Sequence, residues 1–141
     1  GDGRLEYMLV PKLLGLAERA WAADPDWARE TTAAKFDSLF RNSWSQFVNV
    51  VGKRELPRLE LEMPGLNYRI PTPGLKVQGG MVYASMEIPG FTLRYTTDGT
   101  DPTGRSAVVN GPIPLRGTVS VAAFSSSGRK GLTARVTAPV P

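Results

Sequence analysis

The side chains that could do chemistry in this sequence are carboxylates, amines and phenols, because its 141 residues include neither histidine nor cysteine. That composition excludes disulfides, thiolate zinc sites, a cysteine nucleophile and a serine–histidine triad within the chain. General acid–base catalysis would have to use Asp, Glu, Lys or Tyr. Three acidic groups have a spacing that merits attention: Glu18 beside Arg19, Glu60 with Glu62, and Asp98 with Asp101.

The first two groups have structural interpretations. Glu18 and Arg19 stand among apolar residues of a predicted helix, which favours a buried or half-buried charge network that ties this helix to its neighbours. A direct catalytic role is disfavoured there. Glu60 and Glu62 alternate along what reads as a short extended segment, and we expect both to be solvated.

Asp98 and Asp101 resemble calcium ligands in type, but calcium takes six to eight oxygen ligands and two carboxylates fall short of that number. Asx-turn hydrogen bonds are the favoured interpretation of both residues. We therefore assign no catalytic, cofactor-binding or metal-binding residue in this chain, and we expect no cofactor.

The aromatic residues of the second half raise the question of sugar binding. They are Tyr83, Phe91, Tyr95 and Phe124. Carbohydrate-binding modules usually stack sugars on exposed aromatic rings, whereas Tyr95 shares one strand face with Leu93 and is expected in the core. Sugar binding by this half is therefore the less favoured interpretation.

The net charge of +4 comes entirely from residues 71–141, which hold seven basic and three acidic residues. Nucleic-acid binding would favour a basic stripe with interleaved aromatic residues, but the basic residues here are scattered and all three Trp lie in residues 1–70. We predict no nucleic-acid partner. The apolar runs are too short for a membrane span.

The first half has the periodicity of helices. A first helix is predicted from Arg4 to Ala22, with apolar residues on two faces, which indicates burial on two sides. Pro11 predicts a kink or a fresh start within it. Asp24 is expected to cap a short helical turn that has Pro25 at its first position.

A second helix is predicted from Ala33 to Val51, with Gly52 at its end. Its apolar residues recur at three- and four-residue steps and form a broad stripe, which favours core packing over a ligand groove. The stripe consists of Phe36, Leu39, Phe40, Trp44, Phe47 and Val51.

The second half is typical of short strands separated by turns. Alternation and turn signals predict strands over 75–78, 81–86, 91–97, 107–110, 118–125 and 130–137. Asp98-Gly99 is expected to form a turn with a positive φ at the glycine. The predicted fold class is α+β, with a helical segment over 1–70 followed by an immunoglobulin-like β-sandwich over 71–141.

Three stretches together resemble a known enzyme family. They are RLEYMLVPKLLGLAERAW from Arg4 to Trp21, LNYRIPTPG from Leu66 to Gly74, and TLRYTTDGTDPT from Thr92 to Thr103. In this order they resemble the C-terminal part of bacterial family-twenty glycoside hydrolases, the β-N-acetylhexosaminidases and chitobiases. The first is similar to the last helix of the catalytic barrel, the second to the exit from it, and the third to the appended immunoglobulin-like domain.

The resemblance implies a (β/α)8 barrel upstream of Gly1, with its active site at the C-terminal ends of the strands. In the family, the acetamido group of the substrate attacks the anomeric carbon, so the substrate assists a retaining mechanism. An Asp orients that group, and the adjacent Glu protonates the leaving oxygen. No adjacent Asp-Glu pair occurs in residues 1–141, so no catalytic or sugar-binding residue is carried over.

The resemblance therefore implies a structural, catalytically inactive part of an enzyme that removes terminal β-linked N-acetylhexosamine from chitooligosaccharides or glycans. Its expected partner is the upstream barrel, with a homo-oligomer through exposed helices as a further outcome. The family's bacterial members imply a periplasmic or extracellular location.

Two alternatives remain open at this point. One is a non-catalytic adhesion or carbohydrate-binding module with a helical neck, and the other is a helical interaction domain fused to a structural β domain. The sequence upstream of Gly1 discriminates between them and the enzyme.

Overall fold

The computed structural model describes residues 2–138, apart from the side chains of Asp2 and Pro11. The chain forms two compact units, residues 1–69 and residues 70–141. We call them the helical unit and the β unit. Helices followed by antiparallel sheets confirm the α+β class.

From residue 2 onward, the helical unit contains three α-helices and two shorter helical turns. Helix α1 is Asp2–Trp21, α2 is Ala33–Val50 and α3 is Leu56–Glu62. A 3-10 helix, Asp26–Arg29, precedes α2, and a π-helical turn, Val51–Glu55, joins α2 to α3. Within residues 2–138, no helix has the length and apolar character needed to cross a bilayer.

The prediction that Gly52 ends the second helix is wrong. Gly52 is buried within the π-helical turn and does not adopt the positive φ of a C-terminal glycine cap. Buried side chains flank it on both sides, with Val51 at 4% exposure and Leu56 at 2%. Burial of these side chains outweighs the cost of a glycine inside a helix, which is about 1 kcal/mol.

One further helix prediction is wrong, and another is only partly tested. Asp24 does not cap the turn that follows it, because Pro25 is the N-cap residue and no side chain caps this helix. The Asp24 carboxylate instead accepts a hydrogen bond from Arg29 at 3.0 Å. Helix α1 is continuous from residue 2 to residue 21, so the chain makes no fresh start at Pro11, and the alternative of a kink there stays a prediction.

Up to residue 138, the β unit contains seven strands in two antiparallel sheets. The strands are β1 Gly74–Gln78, β2 Met81–Ser85, β3 Thr92–Thr96, β4 Ala107–Val108, β5 Ile113–Pro114, β6 Thr118–Phe124 and β7 Lys130–Thr137. One sheet has the order β1-β2-β5, and the other has the order β4-β3-β6-β7. This arrangement confirms the predicted β-sandwich.

The core of the sandwich contains residues from both sheets. Val82 and Ile113 come from the three-stranded sheet, and Val119 and Val121 come from the four-stranded sheet. Each is at most 2% exposed. Tyr95 packs against this cluster, as the alternation of β3 predicts.

The loop between β3 and β4 begins with the predicted glycine turn. Gly99 has a φ of +79°, a conformation that favours glycine because it lacks a Cβ atom. Its backbone N–H donates to the carbonyl of Thr118 at 3.0 Å, so the turn is joined to the start of β6. The positive φ expected at this position is confirmed.

Candidate functional site

The Asp98 carboxylate is used within its own loop. Its Oδ1 accepts hydrogen bonds from the backbone N–H of Thr100 at 3.0 Å and from the Thr100 hydroxyl at 2.6 Å. These bonds lower the pKa of Asp98, the hydroxyl of Thr100 having the larger effect. The Asx-turn interpretation of Asp98 is confirmed.

Asp101 is held by partners that lie far from it in sequence, so the Asx-turn interpretation is wrong for this residue. Lys130 Nζ donates to Asp101 Oδ2 at 2.8 Å, and Arg135 donates to Oδ1. The ammonium group of Lys130 is the main cause that lowers the pKa of Asp101. Because both cations lie on β7, Asp101 joins the loop after β3 to that strand.

These contacts give both carboxylates a structural role in the loop. Each of the two carboxylates has protein hydrogen-bond donors of its own. Across residues 2–138, no cluster of three or more acidic, histidine or cysteine side chains is arranged to hold a metal ion. A general acid in glycoside hydrolysis needs a raised pKa, whereas both of these carboxyls have lowered pKa values.

The other carboxylates also have structural partners. Glu18 and Arg19 pair with each other at 3.2 Å and are exposed, so the predicted charge network between helices is wrong for this pair. Glu60 and Glu62 lie on α3 rather than on an extended segment. Glu60 accepts a hydrogen bond from the Tyr68 hydroxyl at 2.7 Å, and Glu62 pairs with Arg58 at 2.8 Å.

A shallow cleft in the β unit contains two of the aromatic residues that the sequence singles out. Tyr83 and Phe91 line this cleft of about 590 Å³, together with Leu93 and Val109. Tyr83 is 44% exposed, whereas Phe124 is buried and lies outside the cleft. The cleft offers two rings to a ligand but no charged side chain.

The largest concentration of exposed apolar surface is on the helical unit. Twelve of the sixteen large apolar side chains that are exposed in the described part of the chain belong to it. They are Leu5, Met8, Leu9, Leu13, Leu16, Trp21, Phe36, Phe40, Trp44, Val50, Leu61 and Met63. Apolar surface of this extent is typical of an interface with another protein surface.

Two concave regions interrupt this apolar surface. A groove of about 630 Å³ runs between α1 and α2, where Leu14, Trp21 and Phe47 form part of its walls. A smaller pocket of about 220 Å³ is lined by Trp27, Phe40, Trp44 and Phe47 with polar residues Glu18, Arg19 and Ser43. One part of the aromatic stripe of α2 is therefore packed within the helical unit, and another part lines the two concave regions.

Trp27 is the residue of this surface that the sequence analysis missed. Its ring makes edge contacts with Phe36, at a centroid distance of 5.9 Å, and with Phe40 at 5.4 Å. It lies on the 3-10 helix, whose four residues are too few for a periodic pattern. The only sequence signal is its position a few residues before an aromatic stripe.

Comparison with known proteins agrees with this structure. The family model of the chitobiase/β-hexosaminidase C-terminal domain matches residues 55–133. An N,N'-diacetylchitobiase of Vibrio harveyi is 33% identical over 138 residues, which span 92% of this chain and 15% of that protein. A β-hexosaminidase of Vibrio vulnificus is 26% identical over 114 residues, spanning 70% of this chain and 13% of that protein.

The chain thus spans about a seventh of the length of these relatives. The family match begins at residue 55, in the π-helical turn, and includes most of the sandwich. The match to the chitobiase extends the similarity over nearly the whole chain. This chain belongs to the chitobiase/β-hexosaminidase C-terminal domain family.

Proposed function

We propose that the chain is a structural part of a β-N-acetylhexosaminidase and that it contributes no catalytic residue. The apolar surface of the helical unit supports this proposal best, because it calls for a large partner, and the relatives are several times longer than the chain. In this proposal α1 and α2 pack against an upstream catalytic barrel, and the β unit braces that barrel.

The reaction itself belongs to the parent protein. It is the hydrolysis of terminal β-linked N-acetylhexosamine by a substrate-assisted retaining mechanism, with an Asp and a Glu of the barrel in the roles of orienting group and acid. The carboxylates of this chain that have defined partners are held in ion pairs or hydrogen bonds, which supports a structural role for them.

An activity assay tests this proposal. Purified residues 1–141 should not release the aryl group from an aryl β-N-acetylglucosaminide. Adding a separately produced upstream part, encoded by the same gene, should restore turnover if the two parts assemble. Turnover by residues 1–141 alone that is abolished by Asp98→Asn or Glu18→Gln would contradict the structural role.

The cleft beside Tyr83 and Phe91 favours a second function, a carbohydrate-binding module with a helical neck. Aromatic rings in an open cleft are the feature that sugars use for stacking. Titration of residues 1–141 with chitooligosaccharides, followed by NMR, distinguishes the two functions. Shifts confined to the cleft and lost in Tyr83→Ala would favour the binding module, and their absence would leave the structural role.

Two properties of the parent complete the proposal. We place the parent outside the cytoplasm, in the periplasm or the medium, which cell fractionation with an antibody against this chain would check. We also propose that residues 1–141 without the barrel associate through their exposed helices. Sedimentation analysis across a concentration series should then show self-association.

A further inference from the structure

An asparagine–glycine step lies in the loop between β4 and β5. Asn110 and Gly111 are both exposed, and neither belongs to a strand. Within residues 2–138, neither the Asn110 carboxamide nor the Gly111 backbone N–H has a hydrogen-bond partner. The carboxamide and the backbone nitrogen that follows it in the chain are therefore free to approach each other.

These two neighbouring groups react with each other to form a cyclic imide. The carbonyl carbon Cγ of an asparagine is an electrophile, and the next backbone nitrogen is within reach of it. Attack forms a bond between Asn110 Cγ and Gly111 N and breaks the bond from Cγ to Nδ2. Ammonia leaves with the proton of the Gly111 N–H. Glycine hinders this attack least because it has no Cβ atom, and even a Cβ built on Gly111 would have no atom within 4 Å.

Water then opens the imide ring at one of its two carbonyl carbons. Cleavage of the bond from Gly111 N to Cγ gives an ordinary aspartate at position 110. Cleavage of the bond to the backbone carbonyl carbon gives an isoaspartate, in which the chain runs through Cβ and Cγ. No atom is oxidised or reduced in either step, so the reaction needs water and no other co-reactant.

The chain contains a second step of related chemistry, which the fold protects. Asp98-Gly99 can close the same ring with loss of water, but the Gly99 N–H donates to the carbonyl of Thr118 at 3.0 Å. The Asp98 carboxylate accepts hydrogen bonds from the backbone N–H and the hydroxyl of Thr100. Both reacting groups would have to leave these partners, so imide formation at Asp98 should be slow.

We propose that Asn110 is a site of spontaneous deamidation, and that its isoaspartyl product loosens the sheet edge formed by β5. The backbone is fixed on both sides of the step. The Val109 N–H donates to the Leu93 carbonyl at 2.9 Å, and Ile113 is 2% exposed in the sandwich core. An isoaspartate adds one carbon atom to the backbone between these two points. Because β5 pairs with β2 through only two residues, this pairing is the weakest link that the added length can displace.

Ageing of purified residues 1–141 at mildly alkaline pH, followed by peptide mapping, tests the modification. Trypsin cleaves after Arg105 and Arg116, so the step is recovered in a single peptide, residues 106–116. Chromatography separates its aspartyl and isoaspartyl forms from the unmodified peptide, and mass spectrometry identifies them. Asn110 should be lost at a rate of the same order as in the synthetic peptide 106–116. Much slower loss in the folded chain would show that the loop is protected and would overturn the proposal.

Two other positions and one variant serve as controls. Asn49, whose side chain donates to the carbonyl of Ser45 at 2.8 Å, should keep its amide in the aged sample, and Asp98 should form no isoaspartate. Gly111→Ala should slow the loss several-fold and leave the β unit folded, because Gly111 lacks a positive φ and has open space for a Cβ. Loss at Asn49 as fast as at Asn110, or an unchanged rate in Gly111→Ala, would overturn the proposal.

NMR spectra test the effect on β5 separately from the effect of charge. The amide signals of Val82 and Ile113, which pair across β2 and β5, should gain a second set that grows with the isoaspartate content. Asn110→Asp adds the negative charge without the extra carbon, so its spectrum should keep a single set at the original positions. A single, unshifted set in the aged chain, or the same displacement in Asn110→Asp, would overturn the loosening of β5 by the isoaspartate.

Discussion

The turn at Gly99 allows backbone conformation and steric contact to be separated with three alanine substitutions. Gly99 has a φ of +79°, and a Cβ atom there would lie 3.3 Å from Thr118 Cβ. Gly79 has a φ of +58° with no atom within 4 Å of such a Cβ. Gly104 has neither a positive φ nor a close neighbour.

The expected changes in the free energy of unfolding follow from these differences in φ and in steric contact. Left-handed backbone at an alanine costs roughly 1–2 kcal/mol, so Gly79→Ala should destabilise the β unit by that amount. Gly99→Ala adds a contact that forces Thr118 to shift, for a total of about 2–3 kcal/mol. Gly104→Ala should be neutral or stabilising by about 0.4–1 kcal/mol, because alanine lowers the entropy of the unfolded chain.

Urea unfolding of residues 1–141, followed through NMR signals of β-unit amides, measures the three values. Tryptophan fluorescence would report only on the helical unit, which contains all three Trp. Equal costs for Gly79→Ala and Gly99→Ala would refute the contribution of Thr118. Asp98→Ser should lower the free energy of unfolding less than Gly99→Ala does, because Ser retains a weaker form of the same local hydrogen bond. The reverse order would refute the reasoning about the turn.

Three other perturbations test the two units separately. Val82→Ala removes two buried methyl groups and should lower the free energy of unfolding, measured in urea, by about 2–3 kcal/mol. The control is Val77→Ala: Val77 pairs with Val82 across β1 and β2 but is 45% exposed, so this substitution should lower the free energy of unfolding by less than about 1 kcal/mol. Hydrogen bonds with Lys35 and Thr32 lower the pKa of Glu30 to about 2. Because the unfolded chain has the ordinary value of 4.5, the ionised Glu30 stabilises the helical unit above about pH 4.5, and this stabilisation is lost as the pH falls toward 2. An NMR titration of the Glu30 carboxyl should show this midpoint, and Lys35→Met should raise it; an unchanged midpoint in the variant would contradict the assigned pair. Residues 71–141, produced alone, should fold and show a cooperative thermal unfolding transition. The prediction is contradicted if residues 71–141 are unfolded while residues 1–141 are monomeric and unfold cooperatively.

The sequence predicted the sandwich well because its strands have a local signature. The alternation of Leu93 and Tyr95 places both on the core side of β3, and the structure agrees. Strand β5 was missed because one of its two paired residues, Ile113 and Pro114, is a proline, a residue type that is disfavoured in strands. Strand β4, Ala107–Val108, is equally short but contains no proline, and it lies within the predicted strand over 107–110.

Features that depend on distant partners were not predictable from local patterns. Asp101 pairs with Lys130, which is 29 residues away, so its local sequence suggested only a turn. Gly52 resembles a helix end by type, but burial of the residues around it keeps the backbone helical. The candidate pocket depends on Trp27 meeting α2, a tertiary contact that no spacing encodes.

The third of the three stretches that together resemble the family, from Thr92 to Thr103, contains a loop whose contacts explain several of its residues. The Thr96 hydroxyl donates a hydrogen bond to the carbonyl of Thr100 at 2.6 Å, and Asp98 accepts a hydrogen bond from Thr100. Gly99 adopts the positive φ of the turn. Asp101 joins the loop to β7 through its ion pair with Lys130. These contacts and the positive φ account for the residue types at these positions. A motif that follows from the conformation of a loop does not by itself establish an activity, because function depends on the site and not on the fold.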